Sequence, residues 1–302
     1  MLIVFILLST PAHAQLAYFS DYFSFVGEDA KGKVAFALDT NRGQDGAAYQ
    51  AEHFLVLHDE TSGWAALQGN GRYPNTQKIL QGLPDSEHFQ FQGKPEEGIA
   101  ISGPTNALSL TIDPLPTLID RQNGNDHYRM GAAPAILNWQ GRRLVGRVIY
   151  EYIQFDNWNR LTRTYFGFWK DFHGLYAMTT EAGSDRRGDF YLHAQQSEKL
   201  APLIGKVEGF ATFEDETLRL SEADIETGDT EFAWGFYRWP LSWIGQVAGE
   251  NPESELRFEI ALSQQKRFAN WVIGGFAMGI ITGELHYQGK RFSVYGLGEI
   301  IK

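Results

Sequence analysis

Two stretches of this chain, 148 residues apart, spell nearly the same strand-turn-strand unit. Met130-Gly131 aligns with Met278-Gly279, Leu137 with Leu285, and Glu151 with Glu299. Between them Trp139-Gln140-Gly141-Arg142-Arg143-Leu144 meets Tyr287-Gln288-Gly289-Lys290-Arg291-Phe292. Seven of 22 ungapped positions are identical. The period is far too long for a solenoid, so the repeat predicts two copies of one domain. Gly32-Lys33-Val34 and Gly205-Lys206-Val207 form a second, weaker echo.

The copied unit is β in character. Lys33–Leu38, Phe54–His58, Ala107–Ile112, Leu144–Gln154, Leu175–Thr179, Asp189–His193, Phe258–Leu262 and Arg291–Ile301 are short and rich in aromatic and β-branched residues. Hairpin turns are expected at Gln140-Gly141, Gln288-Gly289 and Gly69-Asn70-Gly71. Asn75–Leu83 and Ser221–Glu226 each predict a short helix or turn, too short for an independent helix. Trp271–Ile281 is the longest apolar stretch beyond the amino end, too short to span a bilayer, and reads as buried strands or the turn between them. Many short strands with regular turns point to an all-β sandwich or barrel, here present twice.

The amino end has another purpose. Leu2–Leu8 is an unbroken apolar run, and Ala12-His13-Ala14 is a small-x-small cleavage pattern. These predict a signal peptide over residues 1–14 and an exported, periplasmic or secreted protein, with domains at 15–175 and 176–302. No transmembrane segment is expected in the mature chain. The absence of cysteine suits an oxidising compartment and removes thiol chemistry and zinc-thiolate sites. The formal charge of −11 argues against a nucleic-acid partner.

On a strand, alternate residues share a face. From Val145 to Ile153 one face carries Val145, Arg147, Ile149, Glu151 and Ile153, and the other Leu144, Gly146, Val148, Tyr150 and Tyr152. Neither is a solvated stripe. Arg147 and Glu151 thus sit on an apolar face, as a structural ion pair or as a polar anchor and proton donor in an apolar cavity. Glu299 holds the same register in the second copy.

Aromatics number 21 Phe, 13 Tyr and 8 Trp. Trp158 and Trp169 follow the first copied strand, and Phe232–Trp243 concentrates Trp234, Tyr237, Arg238 and Trp239. Such a cluster suits either a core or the wall of an apolar ligand pocket. The histidines offer no ligand spacing: His53 and His58 fall on opposite faces of one strand and read as loop-end polar residues. HExxH, GxSxG and phosphate-loop motifs are absent from the sequence. Glu214-Asp215-Glu216 reads as a solvated turn. No metal and no cofactor is implied.

Gly146-Arg-Val-Ile-Tyr150-Glu151 and Gly296-Leu-Gly298-Glu299 resemble the strand ends of the two-domain lipocalin-like proteins grouped with hydroxyneurosporene synthase (carotenoid 1,2-hydratase) and the AttH-type proteins. The resemblance implies two tandem calycin-like antiparallel β-barrels. It departs from the hydratase-like members, which follow the first-domain strand with an acidic-His pair; here Asp156-Asn157-Trp158-Asn159 has no His. The expected function is binding of a hydrophobic small molecule or lipid near the domain junction. Arg147, Tyr150, Trp158, Trp169, Trp234, Tyr237, Arg238, Trp239 and Glu299 are the candidate ligand contacts. The alternative is an isomerase, hydratase or cyclase acting on an apolar polyene-like substrate with Glu151 as acid.

Overall fold

The computed structural model describes residues 18–45, 48–74, 83, 85, 89–103, 108–155, 171–198, 200–214, 216–221, 223–232, 238–248, 255–271 and 274–301. The expected signal peptide, and nearly all of the expected turn at Asn75–Leu83, lie outside these residues.

The first half contains β1 (Tyr18–Asp29), β2 (Gly32–Asp45), β3 (Ala48–Asp59), β4 (Gly63–Pro74), β5 (Gln90–Lys94), β6 (Gly98–Ser102), β7 (Leu108–Ile112), β8 (Thr117–Asn123), β9 (Asp126–Trp139) and β10 (Arg142–Phe155). The second contains β11 (Phe172–Glu181), β12 (Arg187–Ala194), the one-turn helix α1 (Ala201–Ile204), β13 (Val207–Phe213), β14 (Glu216–Arg219), β15 (Asp224–Thr227), β16 (Thr230–Phe232), β17 (Arg238–Pro240), β18 (Ser242–Val247), β19 (Leu256–Trp271), β20 (Gly274–Tyr287) and β21 (Lys290–Ile301). The protein is all-β, two curled antiparallel sheets consistent with tandem lipocalin-like domains.

The sheets share one strand order. The first runs β4-β3-β2-β1-β10-β9-β7-β6-β5, with β8 paired to β9 beside this path. The second runs β14-β13-β12-β11-β21-β20-β19-β18-β15. The register repeats as well. Glu151 lies opposite Met130, and Glu299 opposite Met278. Gln140-Gly141 and Gln288-Gly289 turn the matching hairpins with positive φ at both residues (49° and 77°, 50° and 71°). That backbone matches the twist of the flanking strands.

Three local expectations are corrected. Gly69-Asn70-Gly71 is no turn, because β4 runs through it in unbroken register with β3. Asp224–Thr227 is a strand paired to β18, since that sheet partner outweighs the weak helical pattern of Ser221–Glu226. The Gly-Lys-Val echo joins unlike elements: Gly32 opens β2, whose counterpart is β12, whereas Gly205-Lys206 precedes β13, the counterpart of β3.

Each central strand buries both faces. Leu144, Val148 and Tyr150 of β10 join Phe23, Phe25, Phe36 and Leu57 in the interior of the first sheet. Ile149 and Ile153 point the other way and pack with Phe172, Tyr176, Tyr191 and Phe210 of the second half. Val26, Ala37 and Val56 likewise meet Met178, Ile280 and Leu297. The second interior holds Leu175, Phe190, Trp239, Trp243, Phe258 and Ile300. Two curled sheets packed back to back therefore account for strands that are apolar on both sides.

Curling brings strand backbones close. A Cβ on Gly146 would stand 2.0 Å from the Val26 carbonyl oxygen, and one on Gly296 2.0 Å from that of Tyr176. These contacts give the glycines of the two strand-end motifs a steric reason. Gly141, by contrast, has φ +77° and nothing within 4 Å of such a Cβ. Gly146→Ala is expected to cost about 3 kcal/mol in urea unfolding. Gly141→Ala, with backbone strain alone, should cost about 1 kcal/mol. Equal costs would contradict the close approach.

Candidate functional site

The seam between the sheets is apolar at its edges and polar at its centre. One cross-strand row on the first sheet reads Phe54, Asp39, Tyr22, Glu151, Met130. The equivalent row on the second reads Glu208, His193, Gly174, Glu299, Met278. Alternation on β10 aims Glu151 away from its own sheet's interior, and alternation on β21 does the same for Glu299.

Glu151 is 8 % exposed. The Tyr176 hydroxyl donates to its Oε2 at 2.9 Å, and the Tyr128 hydroxyl adjoins it. Burial pushes its carboxyl up to about 7, against the pull of those two hydroxyls, with Asp39 adding to the rise. Glu299 is raised to about 8, chiefly by burial and then by the neighbouring Glu151 and Asp39; the Tyr22 hydroxyl beside it acts in the opposite sense. At neutral pH Glu299 therefore largely keeps its proton, and Glu151 is about half protonated. Burial also holds the hydroxyls of Tyr22, Tyr128, Tyr176 and Tyr191 well above the usual phenol range. The tyrosines stand neutral around the acids; Tyr176 donates to Glu151, and Tyr128 donates to Met130 Sδ at 2.9 Å.

Arg147 shares the Glu151 face and pairs elsewhere. Its Nε and Nη2 donate to the two carboxylate oxygens of Asp189 at 2.6 and 2.7 Å. The Asp189 side chain is fully buried, and Thr212 Oγ1 donates to it at 2.8 Å. This bidentate pair crosses the seam from β10 to β12. Arg147 is a clamp between the halves, which leaves Glu151 with hydroxyl partners. The structural ion pair anticipated between Arg147 and Glu151 is thus replaced by one between Arg147 and Asp189.

The remaining candidates are dispersed. Tyr150 faces the first interior, where its hydroxyl donates to Asp21 at 2.5 Å and Asp21 pairs with buried Arg42. Trp239 is buried in the second interior. Arg238 points outward, and its Nε donates to Thr230 Oγ1 at 2.6 Å. Trp158, Trp169, Trp234 and Tyr237 lie outside the described residues. His53 is buried mid-strand, in ring contact with Phe89 and Phe91, whereas His58 stands at the end of β3, one residue before Asp59, and is buried against Trp64.

Sequence reasoning missed Tyr128, Tyr176, Asp189, Tyr191 and His193. A signal was present, because Asp189, Tyr191 and His193 alternate on one face of β12 as Arg147 and Glu151 do on β10. A groove of about 860 Å³ also runs over the outer face of the second sheet. Its lining mixes Asp224, Glu226, Glu259 and Glu284 with Arg257, Ile244 and Phe258, and it lies away from Glu151 and Glu299.

The same architecture occurs in solved structures. A putative AttH protein from Nitrosomonas europaea superposes with a TM-score of 0.58 at 10% identity, over 95% of this chain and 92% of that one. The chain has the two-domain AttH-like fold. Kievitone hydratase from Nectria haematococca gives a TM-score of 0.55 at 12% identity over 93% and 88% of the two chains. CghA with Sch210972 gives 0.50 at 12% identity over 95% and 88%. No family model and no curated protein matches the sequence. At these identities the likeness is one of fold.

Two outcomes follow for stability. A carboxyl whose affinity for protons is raised by folding, from 4.5 to about 8 for Glu299, stabilises below its unfolded value and loses that contribution as pH rises through the folded one. The wild-type protein should lose on the order of 3 kcal/mol between about pH 5 and 8, and Glu299→Gln should flatten that slope in urea titrations. Arg147→Met, which strands buried Asp189, should cost about 3–5 kcal/mol. Arg147→Met with Asp189→Asn should recover at least half.

Proposed function

We propose that this protein holds an apolar small molecule or lipid at the junction of its two sheets and acts on it as a general acid, with Glu151 supplying the proton. One observation carries this reading. Two carboxyls, one from each half, are raised into the neutral range on a tyrosine-lined seam, with the nearby Arg147 committed to Asp189. A carboxyl tuned toward the working pH is what proton delivery to an apolar substrate requires. Glu299, the more proton-retentive of the two, orients the substrate or takes part in the return transfer. The flanking tyrosines stabilise developing positive charge through their faces, a contribution of about 0.5–2 kcal/mol each.

The structural relatives support the reading in kind. A hydratase adds water across a double bond, a reaction that acid catalysis serves, and CghA is seen with a small molecule bound. The substrate class proposed here is an apolar, polyene-like or cyclisable molecule. An exported location belongs to the same reading and rests on Leu2–Leu8 and Ala12-His13-Ala14.

Mass spectrometry of apolar molecules co-purifying with the protein from its native host tests the binding half. Incubating those molecules with the protein in D₂O tests the chemistry. Wild type should incorporate deuterium at carbon, while Glu151→Gln should retain the ligand and slow incorporation by about 100-fold. A protein that carries no apolar ligand and alters no apolar probe's fluorescence would refute the binding half. Undiminished incorporation by Glu151→Gln would remove Glu151 as the acid.

A further inference from the structure

Glu151 belongs to the first half, and the hydroxyl that donates to it belongs to the second. Tyr176 of β11 reaches across the seam to Oε2 at 2.9 Å. Tyr176 is 1 % exposed, and its ring touches those of Tyr22 and Tyr191, with centroids 5.0 Å apart in each case. A missing side chain makes room for it. A Cβ on Gly174 would stand 2.8 Å from Cε2 of Tyr176, 3.0 Å from Cε1 of Phe172 and 3.2 Å from the Tyr176 hydroxyl oxygen. Gly174 lies in regular strand register, opposite Glu299 on one side and His193 on the other. Its φ is outside the left-handed region, so the backbone gives no reason for a glycine there. The ring of Tyr176 does.

The internal repeat supplies a contrast. Glu151 lies opposite Tyr22, and Glu299 opposite Gly174, so Tyr22 and Gly174 hold equivalent places; two residues on, so do Ser24 and Tyr176. Each half puts one tyrosine and one small residue on the seam face of this strand, in opposite order. We propose that Gly174 and Tyr176 are a positioning pair for the acid: Gly174 opens the space in which the Tyr176 ring lies, and Tyr176 fixes Oε2 of Glu151 as the accepting oxygen, so that the proton to be delivered stands on Oε1. This role rests on the reading of Glu151 as an acid.

A carboxylic acid carries its proton on one oxygen and accepts freely at the other. A donor held on Oε2 therefore selects Oε1 for the proton and fixes the plane of the carboxyl, which is the geometry that proton delivery depends on. Once the proton has left, the same bond runs from a neutral hydroxyl to a charged carboxylate and strengthens. Tyr176 thus favours the state that Glu151 reaches by acting, and it does so from the opposite half. The acid is complete only where the two sheets meet.

The bond has a sign that can be read. Burial raises the Glu151 carboxyl, and the Tyr176 hydroxyl is the largest influence against that rise, with the balance at about 7. The other groups facing Glu151 are Asp39 on β2, Tyr22 on β1, Tyr128 on β9, Tyr191 on β12 and Glu299 on β21. Tyr128 acts in the same sense as Tyr176, but its hydroxyl donates to Met130 Sδ. Arg147, on the same strand face as Glu151, is taken up by Asp189. Removing the Tyr176 hydroxyl should therefore raise the pH at which Glu151 gives up its proton.

The test uses the unliganded full-length protein, so it stands apart from whether any substrate is found. Infrared spectra recorded across pH follow the carboxylic-acid band that disappears in Glu151→Gln. In the wild type that band should fade with a midpoint of about 7. Tyr176→Phe keeps the ring and removes the donor, and its midpoint should rise by about 1 pH unit. Gly174→Ala should raise the midpoint too, by displacing the ring, and the double variant should go no further than Tyr176→Phe alone. Ser24→Ala, at the place equivalent to Tyr176, should leave the midpoint where it is. Folded Tyr176→Phe protein with the wild-type midpoint would overturn the proposal. A lower midpoint would do so as well, because it would show the carboxyl donating to Tyr176. An equal rise in Ser24→Ala would overturn it by tracing the change to packing of the seam. Undiminished deuterium incorporation by Glu151→Gln, by contrast, would remove the acid reading and leave the titration of the carboxyl as found.

Discussion

The seam between the two sheets is the constraint on which the rest of the molecule depends. Each sheet must curl around its own interior and also present its back to the other, so the central strands have no face left for water. Apolar residues fill most of that second face at little cost. Charge there has to be neutralised by a partner or by a proton. Arg147 and Asp189 take the first route, with bidentate geometry and a third donor from Thr212. Glu151 and Glu299 take the second, because the surrounding donors are tyrosines and the neighbouring charge, Asp39, is of the wrong sign. The two solutions lie on one strand face four residues apart. That proximity lets a single seam combine rigidity with a titratable centre.

The steric side of the same constraint lies in the glycines. Gly146 and Gly296 stand where neighbouring backbones come too close for any side chain. A strand that carries a glycine for curvature and an acid for the seam looks like a motif in the sequence. It is two requirements imposed on one element, in opposite directions from its plane.

Much of this was legible in the residues. The repeat at an offset of 148 gave the paired hairpins and the equivalence of Glu151 and Glu299, and register bears out both. The doubly apolar faces of Leu144–Ile153 announced burial on both sides. Partner choice was not legible. Arg147 and Glu151 are near in sequence and share a face, so pairing them is the natural reading. Asp189 is distant in the chain, and only packing of β12 across β10 makes it the nearer partner. Tyr128, Tyr176 and Tyr191 read as core aromatics because that is what their rings are; their hydroxyls acquire a role only when three strands from two halves converge. His193 was missed for the same reason. Tyr150, which alternation already put on the face opposite Glu151, spends its hydroxyl on Asp21, a partner the sequence did not indicate.

The two cross-strand rows match position for position, and they do not match in content. Where the first has Asp39, Tyr22 and Glu151, the second has His193, Gly174 and Glu299. In a symmetric pair of identical halves every group would face the same company as its twin, and the two acids would have equal proton affinities. Joining the halves in one chain releases that equality. One carboxyl can then accept from a hydroxyl of the opposite half while the other is crowded by its neighbour's charge, a difference that no homodimer of either half could maintain.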